Sequence, residues 1–178
     1  MKSLAHRLDA SINNVITSWP ASLKPLFVAT TALGGPLITI AVGTAVILYG
    51  YVQENPRLAL AGMMVWVIIG IGTVLKLLFG RKRPLTEYVQ NMHFKTLSFP
   101  SGHATGATIA HGLLAYLAWH ALPEPWSYIV AAAMTAIIVL VGISRIYLGA
   151  HFPSDVVAGW LLGTAGVLVI IFLIRPLV

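Results

Sequence analysis

The 178-residue chain is 58% hydrophobic and only 9% charged, against about a quarter charged in an ordinary soluble domain, which marks it as an integral membrane protein. Its formal charge is +6, but the basic residues cluster beside apolar stretches, so anionic headgroups or a phosphate-bearing ligand explain the bias and nucleic acid is not expected as a partner. The absence of cysteine excludes a disulfide framework and thiolate chemistry, and the acidic residues (Asp9, Glu54, Glu87, Glu124 and Asp155) are too few for a two-metal site.

Residues 1–20 contain no continuous apolar core, so no cleavable signal peptide is expected. Leu4, Leu8, Ile12, Val15 and Ile16 recur at helical spacing, which predicts an amphipathic helix lying on the membrane surface and ending at Trp19-Pro20. The first hydrophobic stretch, 24–51, is interrupted by Gly34-Gly35-Pro36. A span of 36–51 alone would reach about 24 Å, short of a hydrocarbon core of about 30 Å, so one long kinked helix is expected. Asn55-Pro56 marks a turn before the second span, 58–79. A polar stretch, 80–100, follows. Spans are then expected over 101–121, 126–147 and 153–174, with Pro123-Glu124-Pro125 as a turn and Arg175 beyond the last. Gly159 and Gly163 form a GxxxG pair that permits close helix approach. The predicted fold is an all-α, multi-pass transmembrane bundle of five spans within 24–175, plus the N-terminal interfacial helix, in a single domain of residues 1–178.

Five antiparallel crossings bring the start of the first span, the 80–100 loop and the 144–152 loop to one membrane face. Three polar clusters meet there: Lys76 with Arg83-Pro84; Pro100-Ser101-Gly102-His103; and Ser144-Arg145 with His151 and Asp155. Ionisable groups at membrane depth are costly unless they pair or face water, so they mark a site. Lys76, Arg83 and Arg145 offer fixed charge and forked donors suited to a tetrahedral oxyanion. Ser101 and Gly102 sit where free N–H groups at a helix start favour an anion. Pro153 suits a first helical turn, which places His151 at the helix mouth and Asp155 on the same side, where a carboxylate fixes the imidazole tautomer. Two histidines add a nucleophile and an acid, a set able to transfer a phosphoryl group without a metal.

In this order, Lys-x6-Arg-Pro, Pro-Ser-Gly-His and Ser-Arg-x5-His-x3-Asp resemble the signature of the type 2 phosphatidic acid phosphatase family, over roughly residues 24–175. The resemblance implies that His151 attacks phosphorus, that Asp155 orients and activates it, and that His103 protonates the leaving oxygen. It implies phosphate binding by Lys76, Arg83, Ser101, Gly102 and Arg145, with no metal and no other cofactor. The expected substrate is a lipid phosphomonoester or pyrophosphate, undecaprenyl pyrophosphate or phosphatidylglycerol phosphate foremost. Membrane lipids are the other expected partners, and no obligate protein partner is implied. A lipid phosphotransferase using the same histidine and a non-catalytic lipid-binding or translocating module are the alternatives. A vanadium-dependent haloperoxidase resembles the family at the same residues but is soluble.

Lys2, Arg7, Lys24, Arg81, Lys82, Arg83, Lys95 and Arg145 fall on the site face, against Arg57 and Arg175 on the other. That count points the site to the cytoplasm. The resemblance implies an extracytoplasmic site in the cell (inner) membrane and is followed here, because a phosphate site needs cations whichever way it faces. Arg81, Lys82 and Lys95 are expected as headgroup anchors, His111 as a packed or solvated histidine with lining of the site cavity as the alternative, and Trp119, His120 and Trp126 as a belt at the opposite interface. Tyr88, His93 and Phe94 lie where they could touch a headgroup.

Overall fold

The computed structural model describes residues 4–92 and 96–174. His93, Phe94, Lys95, Lys2 and Arg175 therefore lie outside the described residues. Among the described residues every regular element is helical, and the α-helices are α1 (Leu4–Thr17), α2 (Lys24–Ala32), α3 (Pro36–Val52), α4 (Pro56–Phe79), α5 (Glu87–Gln90), α6 (Gly102–Ala121), α7 (Trp126–Tyr147) and α8 (Pro153–Ile174).

The starts and stops follow from local chemistry. Asn55 accepts from Leu58 N–H and opens α4, and Ser101 accepts from Ala104 N–H and opens α6. Proline stands at the first position of α3, α4 and α8, where the missing N–H costs nothing. Gly80, at φ 60°, ends α4 in the left-handed conformation that only glycine adopts cheaply.

Among the described residues, four segments are long and apolar enough to cross a membrane: Ala21–Val52, Pro56–Phe79, Trp126–Tyr147 and Pro153–Ile174. α6, expected from the sequence as a fifth crossing, has span length at 20 residues but is not among the four, and it is enclosed by its neighbours. Ala104 to Ala110 are buried without interruption, so this helix presents Ala, Gly and Thr to protein where the others present Leu and Phe to lipid.

One expectation is refined. The long kinked helix over 24–51 is in fact two helices, α2 and α3, separated at Leu33-Gly34-Gly35. Pro36 cannot donate back into α2, and Gly35 is extended at ψ 161°. Close packing demands glycine at the break, since a Cβ on Gly34 would stand 2.7 Å from the His103 carbonyl oxygen and 2.5 Å from Val141.

Association of helices in lipid relies on close packing of small residues. The Gly159–Gly163 pair meets α6: added Cβ atoms would lie 2.7 Å from Ser101 O and 2.5 Å from Thr108 Cβ. The core runs through the bundle as Val46, Val65, Ile68, Ile109, Leu113 and Ile170, from α3, α4, α6 and α8. A smaller cluster of Ala104, Ile146 and Val156, with Ile16 of α1 and Trp160 packed on it, lies under the site face. At the other end Trp119 and Tyr128 stack edge to face at 4.9 Å.

α1 carries two faces. Leu4, Leu8, Ile12 and Val15 are exposed as an apolar stripe, as the spacing predicts, while Asp9 is buried.

Candidate active site

α4, α6 and the α7–α8 turn end together, and their polar residues converge. The α7–α8 turn depends on Gly149 at φ 65°, with Thr86 donating its hydroxyl to the Gly149 carbonyl at 3.0 Å. Ala150 and His151 N–H groups fold back onto the Arg145 carbonyl at 2.9 and 3.2 Å. This places the His151 side chain, wholly buried, under the 80–100 loop.

Arg83 Nη1 lies 3.0 Å from His151 Nε2 and donates to Ala150 O at 3.1 Å. A guanidinium only donates, so Nε2 must accept and the imidazole proton belongs on Nδ1. Nδ1 in turn faces Asp155 Oδ2 at 3.4 Å. Burial is the main cause that pushes the His151 pKa down from 6.5 to about 3, against the opposing hydrogen bond to Asp155. His151 is thus a neutral imidazole whose Nε2 lone pair points at a cation. Burial likewise lowers Arg83, to about 10, and it stays charged.

Asp155 is saturated with donors. The Ser98 hydroxyl donates to Oδ2 in a very short hydrogen bond, Phe152 N–H reaches Oδ2 at 3.0 Å, and Arg81 Nη1 donates to Oδ1 at 2.7 Å. Ser98 and Arg81 are additions that the motifs did not supply. Arg81, expected to anchor headgroups, instead turns inward between Asp9 and Asp155. Nothing in Gly80-Arg81-Lys82-Arg83 distinguishes which cation faces in, because that depends on the turn imposed by Gly80.

Arg145 is almost completely buried, 1% exposed. Its Nη1 donates to the Thr31 hydroxyl at 2.7 Å and to Tyr88 Oη at 3.4 Å, and it lies 5.6 Å from the Tyr88 ring centre. Its Nε and Nη2 have no hydrogen-bond partner among the described residues. A buried guanidinium with two idle donors is costly unless an anion completes it. Lys76 donates to Leu97 O at 3.2 Å and, at very short range, to Pro100 O.

His103 and Gly102 border a cavity of about 570 Å³ shared with Lys76, Arg83, Thr96 and Tyr88 at its polar end. The same cavity continues past Pro36, Thr39, Ile69 and Thr73, between α3 and α4. Ser101 is completely buried and its hydroxyl caps α6, so at that helix start Gly102 and His103 border the cavity. His111, also buried, bonds the Leu33 carbonyl at 3.0 Å through Nε2 and sits behind the cavity as a packed residue. Among the described residues no three His, Asp or Glu side chains gather as metal ligands would.

A model of the PAP2 superfamily matches residues 56–176. The chain belongs to that superfamily. All three polar clusters lie within the matched region. Phosphatidylglycerophosphatase B of Bacillus subtilis is 35% identical over 123 residues, covering 64% of this chain, which spans only 56% of that relative's length. A putative undecaprenyl-diphosphatase of Escherichia coli is 28% identical over 173 residues, covering 93% of this chain and 82% of the relative. The crystal structure of a transmembrane PAP2-type phosphatidylglycerolphosphate phosphatase from Bacillus subtilis superposes with a TM-score of 0.82 at 25% identity, over 99% of this chain and 89% of that one. The chain is therefore an integral membrane helix bundle of the PAP2 superfamily, and these relatives carry the names of phosphatases.

Proposed function

We propose that the protein is a membrane lipid phosphatase that works without a metal through a phosphohistidine at His151. The observation that carries this reading is the geometry of His151, whose Nδ1 faces Asp155 Oδ2 at 3.4 Å while its Nε2 lies 3.0 Å from Arg83 Nη1.

Entry of a substrate phosphoryl group draws Arg83 off Nε2 and onto phosphate oxygens, which frees the lone pair at the moment the electrophile arrives. Arg145 Nε and Nη2, with Lys76 and Arg83, hold the equatorial oxygens, and the Gly102 backbone lies beside them. Ser101 contributes by capping the helix that carries His103. Nε2 attacks phosphorus, the bond to the leaving lipid oxygen breaks, and His103 protonates that oxygen. Asp155 stabilises the imidazolium. Water, deprotonated by His103, then cleaves the phosphorus–nitrogen bond and returns His151 to its neutral form.

The cavity between α3 and α4 supports a lipid substrate, because its polar end holds the cations and its lining as a whole is mainly apolar. The names of the relatives favour phosphatidylglycerol phosphate and undecaprenyl pyrophosphate. An extracytoplasmic site in the cell membrane completes the reading.

The test is phosphate release by purified protein in detergent with EDTA, over a panel of lipid phosphates, for wild type and His151→Ala. Metal-free turnover that vanishes in the variant, and inhibition of the wild type by vanadate, are expected. Activity that collapses in EDTA and returns with magnesium would overturn the proposal. Transfer of the phosphoryl group to a second lipid, seen on product analysis, would make the protein a phosphotransferase using the same residue.

A further inference from the structure

Asp9 stands outside all three motifs and comes from α1, yet its side chain is only 6% exposed. Oδ1 accepts from Ser154 N–H at 2.8 Å. Oδ2 accepts from the Ser154 hydroxyl at 2.7 Å and from Arg81 Nη2 at 2.8 Å. The other Arg81 nitrogen, Nη1, reaches Asp155 Oδ1 and Ser154 Oγ, each at 2.7 Å, and the guanidinium lies 4.3 Å above the Phe152 ring centre. An unbroken run of hydrogen-bonded charges therefore leads from α1 through Arg81 and Asp155 to His151.

Two effects follow. Pro153 has no N–H, so Ser154 supplies the first backbone donor of α8, and Asp9 caps it from another helix. The turn so fixed is the one that carries Asp155. Arg81, left alone against Asp155, would also draw negative charge away from the side facing His151 and weaken the stabilisation of an imidazolium there. The Asp9 carboxylate offsets that cation. We infer that Asp9 is a positioning residue for phosphoryl transfer, which makes the amphipathic surface helix part of the catalytic apparatus as well as a membrane contact. This inference rests on His151 as the nucleophile.

Asp9→Asn keeps an acceptor for Ser154 and removes the charge. Its expected effect is a fall in kcat of about tenfold or more, the scale of losing one charge-assisted hydrogen bond, with KM unchanged because Asp9 does not touch substrate. Asp9→Glu should recover part of the rate. The double variant Asp9→Asn/Arg81→Gln should turn over faster than Asp9→Asn alone, since removing the cation rebalances Asp155. A role limited to holding α1 would lower thermal stability in both variants and give no such recovery. Wild-type kcat in Asp9→Asn, or a double variant slower than the single, overturns the inference. His151→Ala assayed alongside separates the two readings: if it keeps activity, the nucleophile assignment fails, whereas if it is dead and Asp9→Asn is normal, the inference about Asp9 alone fails.

Discussion

Burial drives the His151 imidazole down from 6.5 to about 3, and the hydrogen bond to Asp155 only partly opposes it. The unfolded chain takes up that proton near 6.5, while the folded protein resists it until about 3. Folded stability from this group is thus fully present above 6.5 and is lost progressively as pH falls toward 3. Thermal unfolding in detergent should show a midpoint that drops between pH 7 and pH 4, with a shallower drop in His151→Gln. An identical slope in the two proteins would show that His151 is not held neutral. Arg145 poses a different question at the same scale, because its Nε and Nη2 are buried without partners among the described residues. Arg145→Lys keeps the charge and loses the fork. It should lower kcat/KM by at least about tenfold, the scale of losing a charge-assisted hydrogen bond, and weaken vanadate inhibition in parallel. Unchanged inhibition would place the oxyanion elsewhere.

Between α6 and α8 the packing leaves no room for a side chain at Gly163, where a Cβ would meet Thr108 Cβ at 2.5 Å. Gly163→Leu should destabilise the fold by about 1–3 kcal/mol or more, as overpacking does, and lower the unfolding midpoint. Gly70 is the control, since a Cβ there meets nothing within 4 Å. Gly70→Ala should hold or raise the midpoint. These elements were largely legible in the sequence. Continuous apolar runs bounded by Asn55-Pro56, Gly80, Pro125 and Pro153 give the spans almost to the residue, and His151 and Asp155 meet because a helix starts between them. What was hidden is tertiary. Apolar periodicity in α1 finds the exposed apolar stripe but says nothing about which polar residue on another face reaches inward. Asp9, Arg81, Ser98 and Thr31 belong to the site only because separate elements carry them there. The α2–α3 break was visible as Gly34-Gly35-Pro36, but a kink and a full interruption share that signal.

At the scale of the whole molecule, five crossings gather every cationic motif at one end and the Trp119–Tyr128 pair at the other. The bundle would accept a lipid phosphate from either leaflet, so orientation is a separate question. The chain has no cysteine, which makes single-cysteine labelling clean. In intact cells Lys82→Cys should react with a membrane-impermeant maleimide and Arg57→Cys should not. The reverse pattern would put the site in the cytoplasm, as the count of basic residues suggests. The Arg83–His151–Asp155 geometry and the idle donors of Arg145 both converge on one chemical claim, two successive displacements at phosphorus through His151. Its most direct test is the stereochemical course at phosphorus, followed with a chiral thiophosphoryl lipid hydrolysed in isotopically labelled water. Two in-line displacements predict retention of configuration. Inversion would mean that water attacks the substrate directly and that no phosphohistidine forms.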